Sequence, residues 1–144
     1  IEPDDFSFMI DDDDSIDDEM ISESTDDNQN ADLLLARVHF WMGRYDAALE
    51  ILVNHTDFDA AYLKGRIAHQ LGNDVDARKH LENALEESTT TGSEDMDVMW
   101  LLSQVYFKLG KHRSTIRCLE ELTGNANFKY RKDALAWLQG LQDA

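Results

Sequence analysis

The chain is 144 residues long, enough for one domain of ordinary size, and 42% of its residues are hydrophobic. Its formal net charge of −17 disfavours nucleic acid as a partner, because binding to phosphates requires a basic surface. No apolar run approaches the ~20 residues of a membrane-spanning helix, so a soluble protein without membrane insertion is expected. The single cysteine, Cys118, excludes an internal disulfide and favours the cytoplasm, although a periplasmic protein can equally lack disulfides.

The negative charge is concentrated at the N-terminus. Residues 1–29 contain thirteen acids and no Lys or Arg, whereas residues 30–144 contain the other 17 acids and all 13 bases. A segment of that composition buries too little apolar surface to fold alone. We therefore predict an acidic N-terminal extension over residues 1–29, followed by a domain of nearly balanced charge over residues 30–144.

From Ala31 onward, apolar residues recur with a helical period that short turns interrupt. Gly43, Gly72 and Gly110 each follow such a segment and can end a helix there. These glycines are 29 and 38 residues apart, which indicates a repeat. The pattern predicts an all-α fold of seven helices paired as hairpins, with repeats at about 30–56, 57–90 and 94–124 and a capping helix at 127–142. Candidate N-caps are Asp57, Ser93 and Asn125 or Asn127.

Two segments carry the same pattern. GRYDAALEIL begins at Gly43 and GNDVDARKHLENAL begins at Gly72. With these segments the chain resembles the tetratricopeptide repeat family, whose unit is ~34 residues, over residues 30–124. The resemblance implies an α-α superhelix of three stacked hairpins closed by a capping helix. The proline that usually ends each unit of the family is missing from all three repeats.

The resemblance also implies which residues allow close packing and which line the peptide-binding concave surface of the family. Small residues at Ala36, Gly65 and Ser103 are expected to let the two helices of each hairpin approach closely. The predicted groove is basic and aromatic, and Arg37 and Arg66 occupy the same position in consecutive repeats. Its predicted residues are Arg37, Trp41, Tyr62, Arg66, His69, Trp100, Gln104, Lys108 and Arg131.

The acidic extension itself contains apolar residues that such a groove accepts. Phe6, Phe8 and Ile10 lie at alternate positions, and Asp11 and Asp12 follow them directly. Apolar anchors flanked by acids suit a groove of basic and aromatic side chains. We therefore expect the extension to bind the groove, either in the same copy as an autoinhibitor or in another copy to drive self-association. The alternative is a solvated arm that keeps the protein soluble.

Enzymatic function is not indicated. The five histidines lack the paired spacing of metal ligands, and there is no glycine-rich phosphate loop and no nucleophile motif. We therefore predict no catalysis, no metal and no cofactor. The expected function is that of an adaptor that binds a protein or peptide partner. Two alternatives remain open, a secretion-type chaperone for an extended client and a structural subunit of a larger complex.

Overall fold

The computed structural model describes residues 18–88 and 93–143, with the backbone alone for 18–27, 29 and 93. Within these ranges the chain forms only α-helices, which confirms the predicted all-α fold. None of these helices is both long enough and apolar enough to cross a membrane. The helices are α1 (Asp18–Trp41), α2 (Tyr45–Leu52), α3 (Phe58–Gln70), α4 (Asp74–Glu87), α5 (Ser93–Lys108), α6 (His112–Thr123) and α7 (Arg131–Asp143).

The first six helices form three hairpins, each closed by a three-residue turn with glycine at its centre. Gly43, Gly72 and Gly110 have φ values of +78°, +79° and +77°, a conformation that only glycine adopts without strain. In each turn, the backbone amide of the residue after the glycine donates to the carbonyl five residues earlier, as Arg44 donates to His39 at 2.8 Å. The three turns are therefore the same C-terminal capping motif, used three times.

The two helices of the middle hairpin are in close contact at Gly65. A Cβ atom there would lie 2.6 Å from Cδ2 of Leu81, so any residue larger than glycine would require the buried Leu81 side chain to move. In the third hairpin the small residues Ser103 and Thr115 are fully buried. The Ser103 hydroxyl donates to the carbonyl of Trp100 in the same helix, and the Thr115 hydroxyl donates to the carbonyl of Lys111, the residue before α6, which satisfies both groups.

The hairpins stack in chain order, and each one is covered by the first helix of the next unit. Apolar residues of the first hairpin pack against α3, those of the second against α5, and those of the third against α7. The buried residues include Ala36, Ala48, Leu52 and Ile67 in the first contact, Ala77, Leu81, Val98 and Leu102 in the second, and Leu119, Leu122, Phe128 and Leu138 in the third. The stack is thus closed at its C-terminal end by α7.

Three boundaries differ from the sequence-based expectation. Helix α1 begins at Asp18, inside the predicted extension, because residues 18–30 contain no Gly or Pro and place acids at the positive end of the helix dipole. Helix α7 begins at Arg131 rather than at 127, so neither Asn125 nor Asn127 caps it. Ser93 is the first residue of α5 rather than a residue before it. Asp57 precedes α3 as predicted, but its side chain makes no capping hydrogen bond.

The first hairpin is unequal. Helix α1 has 24 residues and α2 has 8, which at 1.5 Å per residue correspond to lengths of about 36 and 12 Å. The loop after α2 contacts α1 at Asp32, whose carboxylate lies 3.0 Å from Nε2 of His55. The N-terminal half of α1 therefore projects beyond its own hairpin.

Candidate functional site

The first helices of all three hairpins line one cavity of about 140 Å³. The cavity lies between consecutive first helices, and in arrays of stacked hairpins this side is expected to be the concave one. Its lining residues are Arg37 from α1, Phe58, Asp59, Tyr62, Leu63 and Arg66 from α3, and Glu94 and Asp97 from α5. Three predicted groove residues, Arg37, Tyr62 and Arg66, are thus brought together.

Arg66 is held in place by aromatic rings. Its guanidinium carbon lies 4.7 Å from the centroid of the Phe40 ring and 5.6 Å from that of Tyr62. The Phe58 and Tyr62 rings are themselves 6.2 Å apart. Such cation–π contacts orient a guanidinium while leaving its N–H groups free to donate.

Neither arginine of the cavity forms an ion pair with any residue that the structure describes. Both nevertheless share the cavity with three carboxylates, those of Asp59, Glu94 and Asp97. Two positive and three negative groups therefore line the wall. The predicted basic and aromatic groove did not include these acids, because sequence reasoning counted the acids of α5 only as partners of the helix dipole.

Tyr62 lies between the two charge types. Burial raises the pKa of its hydroxyl, Arg66 acts in the opposite direction, and Asp97 and Tyr130 add to the rise. The phenol therefore stays protonated at neutral pH. It presents a hydrogen-bond donor and an apolar ring to the same cavity.

The C-terminal part of the concave side is an aromatic cluster around Trp100. Its ring stacks on Tyr130 at 5.7 Å and meets the edges of Phe128 and Trp137 at 5.6 and 6.0 Å. Trp100 is half-buried and packs against the capping unit, so much of its surface belongs to the core rather than to an open groove.

The connection between α6 and α7 reaches the cavity as well. Nζ of Lys129 lies 3.5 Å from the Asp97 carboxylate, and Tyr130 is close enough to affect the pKa of Tyr62. Sequence reasoning missed Lys129, Tyr130 and the cavity acids. The one available signal was the run FKY before the last helix, which combines two aromatics with a base.

The other predicted groove residues lie apart from the cavity. Trp41 is 73% exposed, one helical turn beyond Arg37. His69 has Nδ1 3.5 Å from the Asp74 carboxylate at the α3–α4 turn. Gln104 donates to the Trp100 carbonyl at 3.3 Å, and Lys108 is exposed at the end of α5. Nε of Arg131 donates to the Thr123 carbonyl at 2.8 Å and ties α7 to α6.

The predicted anchors of the extension, Phe6, Phe8, Ile10, Asp11 and Asp12, lie outside the described residues. Over the described part of the chain, no three His, Cys, Asp or Glu side chains are grouped so as to hold a metal ion.

Two comparisons identify the type of fold. Residues 18–84 match the family described as anaphase-promoting complex, cyclosome, subunit 3, which is built from tetratricopeptide-type repeats. The crystal structure of MamA protein superposes with a TM-score of 0.59, covering 83% of this chain and 75% of that one, at 19% sequence identity. No curated protein matches the chain. The likeness to MamA concerns the fold alone.

Proposed function

We propose that this chain is a tetratricopeptide-repeat protein and a non-catalytic adaptor that binds an extended peptide along its concave face, because residues 18–84 match a family of that repeat type and the fold is similar to that of MamA. Proteins of this repeat type mediate contacts with other proteins through the extended concave surface that stacking creates. The cavity between α1, α3 and α5 is the proposed binding site.

One observation carries the proposal, namely the two guanidiniums of Arg37 and Arg66 in one cavity without an ion pair among the described residues. A hydrogen bond to a charged group contributes roughly 1.5–3 kcal/mol where it is shielded from water. An acidic side chain of the ligand is therefore the anchor, bound by guanidiniums from two successive repeats.

The same wall limits how acidic the ligand can be. Asp59, Glu94 and Asp97 repel a second carboxylate but accept hydrogen bonds from the N–H groups of a ligand backbone. The rings of Tyr62 and Tyr130 offer apolar surface beside them. The proposed ligand is thus an extended peptide with one acidic side chain next to aromatic or aliphatic ones.

Residues 1–17 of the chain itself contain both kinds of side chain, but with eight acids rather than one, so only one carboxylate would occupy the cavity and the others would stay in solvent. Phe6, Phe8 and Ile10 would supply the apolar side chains, and Asp11 or Asp12 the anchoring carboxylate. We include this segment as a competing ligand of the concave face, acting in the same copy as an autoinhibitor or in another copy as a link between molecules.

A synthetic peptide copying residues 4–12, titrated into the chain lacking residues 1–17, tests the site. We expect binding that weakens as salt rises and that falls about tenfold, 1.4 kcal/mol, with Arg37→Gln or Arg66→Gln. Arg113→Gln, an exposed arginine on α6, is the matched control and should leave the affinity unchanged.

A second peptide with Asp11→Asn and Asp12→Asn separates the anchor from the apolar contacts. It should bind at least as weakly as the original peptide binds the Arg66→Gln variant. Affinity that is insensitive to both arginines rules out the cavity as the site. Failure of the peptide to bind at low salt removes the chain's own segment as a ligand.

A further inference from the structure

The cavity between α1, α3 and α5 holds its charges in two rows. Arg37 and Arg66 each lie six residues before the glycine of their own turn, so they are equivalent in the first two repeats. Asp59 and Asp97 each lie thirteen residues before the glycine of theirs, so they are equivalent in the second and third repeats. All four line the cavity, which therefore has a cationic row toward the hairpin turns and an acidic row toward the opposite ends of the first helices.

On α3 the two rows share one face of the helix, about two turns apart. Asp59 precedes Arg66 by seven residues, which corresponds to about 10 Å along the helix axis and a rotation of only about 20° around it. Tyr62 lies between them on the same face. Among the described residues, neither Arg37 nor Arg66 forms an ion pair with a carboxylate. The cavity thus keeps opposite charges apart, so a ligand that lies between the rows meets both signs.

One cation of the chain already contacts the acidic row. Nζ of Lys129 lies 3.5 Å from the Asp97 carboxylate, and the Lys129 side chain is 61% exposed. Asp59 and Glu94, the other acids of the cavity, have no ion pair with any described residue. An exposed ion pair such as that of Lys129 is weak, so the cation of a ligand can replace it. The acidic row therefore has room for a basic side chain.

We infer, building on the proposed function, that the ligand carries a basic residue directly beside its anchoring acid. Successive side chains of an extended chain point to opposite sides. When such a chain crosses the first helices between the two rows, an acid that reaches Arg37 and Arg66 directs its neighbour toward Asp59 and Asp97. The ligand is therefore an internal peptide segment in which an Asp or Glu adjoins a Lys or Arg, with apolar residues on either side.

Other charge patterns fit the two rows less well. A basic residue two positions from the acid points to the same side as the acid, so its charge meets the guanidiniums of Arg37 and Arg66. A purely acidic segment leaves the carboxylates of the cavity without a cation from the ligand. Residues 1–29 contain no Lys or Arg, so a partner with both charges should displace the chain's own extension from the cavity.

Two synthetic peptides of identical composition test the inference. Acetyl-Phe-Asp-Lys-Ala-Phe-amide has the base beside the acid, whereas acetyl-Phe-Asp-Ala-Lys-Phe-amide has it two positions further on. Blocked termini leave these two side chains as the only charges of each peptide. In calorimetric titrations of the full chain, the first peptide should bind about tenfold more tightly than the second. The extension competes equally with both, so the ratio of affinities does not depend on it.

A double variant shows whether the acidic row contacts the base. Asp59→Asn combined with Asp97→Asn should reduce the difference between the two peptides to about twofold or less, because the base then meets amides instead of carboxylates. Glu120→Gln combined with Glu121→Gln is the matched control. It removes the same charge from exposed positions on α6 and should leave the difference unchanged.

Lys129 gives a change in the opposite direction. Lys129→Gln removes the cation that contacts Asp97, so it should tighten binding of the first peptide by about threefold. Lys79→Gln, at an exposed position on α4, removes the same charge and should not change the affinity.

Equal binding of the two peptides, or binding of neither, overturns the inference. If both bind equally and Arg66→Gln weakens both, the proposed peptide site stands and only the basic neighbour is wrong. A preference that persists in the Asp59→Asn, Asp97→Asn variant also overturns the inference, because the base then lies elsewhere. If that variant abolishes the preference but Arg66→Gln and Arg37→Gln change nothing, both proposals are wrong, since the acid of the ligand does not reach the arginines.

Discussion

The guanidinium of Arg66 lies over the ring of Phe40, with 4.7 Å between its central carbon and the ring centroid. Phe40 belongs to the first repeat and Arg66 to the second, so the contact joins two units at the wall of the candidate site. The same side chain is thus proposed to stabilise the stack and to anchor a ligand.

Replacing Arg66 should therefore cost stability even without a ligand. We expect Arg66→Ala to lower the free energy of unfolding by about 0.5–2 kcal/mol, because it removes two cation–π contacts. Arg113→Ala, on exposed surface, should change it by no more than about 0.5 kcal/mol. Urea unfolding measures both, and equal losses would show that the ring contacts contribute nothing.

Gly65 should not tolerate even one methyl group. Gly65→Ala places Cβ 2.6 Å from Leu81 and should cost about 1–3 kcal/mol by overpacking. In a Leu81→Ala background the obstructing atoms are gone, so the same change should cost far less.

Gly140→Ala in α7 is the control. Nothing lies within 4 Å of a Cβ there, and it should stabilise by about 0.4–1 kcal/mol. Thermal unfolding of the four variants checks this, and additive effects of Gly65→Ala and Leu81→Ala would contradict it.

The connection before α7 should contribute to stability mainly through one ring. Phe128 is 4% exposed, so Phe128→Ala should cost about 3–5 kcal/mol. Tyr130 is 41% exposed, so Tyr130→Ala should lower the free energy of unfolding by only about 1 kcal/mol. Guanidinium unfolding would measure the difference. Similar losses at the two positions would mean that the ring of Phe128 is not part of the core.

Cys118 should react slowly. Burial raises the pKa of its thiol to about 11, and Glu121 acts in the same direction. Since the thiolate is the nucleophile, alkylation by iodoacetamide at pH 8 should be about 100-fold slower in the folded chain than in urea. Comparable rates in the two states would contradict the burial of this thiol.

The same shift has a consequence for stability against pH. A thiol whose pKa is higher in the folded chain than its ordinary value of 9.0 stabilises the fold below that value. This contribution is lost as pH rises from about 9 to about 11. The free energy of unfolding of the natural chain should therefore fall relative to that of Cys118→Ala across this range, as urea titrations at several pH values would show.

The repeat architecture could be predicted from the sequence because its geometry depends on a few small residues. A positive φ requires Gly43, Gly72 and Gly110, and close helix contact requires Gly65, so the spacing of these residues reports the fold directly. The start of α1 could not be predicted in the same way. Acidic composition argues against a core, but it does not prevent helix formation where Gly and Pro are absent.

The candidate site could be predicted only in part. Arg37, Tyr62 and Arg66 follow from the repeat frame, since side chains four apart on α3 and equivalent positions of α1 point the same way. The position of Glu94 and Asp97 depends on how α5 is rotated against α3, which periodicity within one helix does not fix. Tyr130 reaches the site through an irregular connection, for which there is no periodic signal at all.

The two ends of the array differ in how well they are covered, so local unfolding is expected to begin at the N-terminal end. Helix α7 covers Leu119 and Leu122 completely, whereas the first hairpin rests on an eight-residue second helix. In a linear array each unit is stabilised by its neighbours, so the amide protons of α2 should exchange with solvent before those of α4 and α6. A ligand spanning Arg37 and Tyr62 would bridge the first unit to the second and slow that fraying, without any change in the average fold.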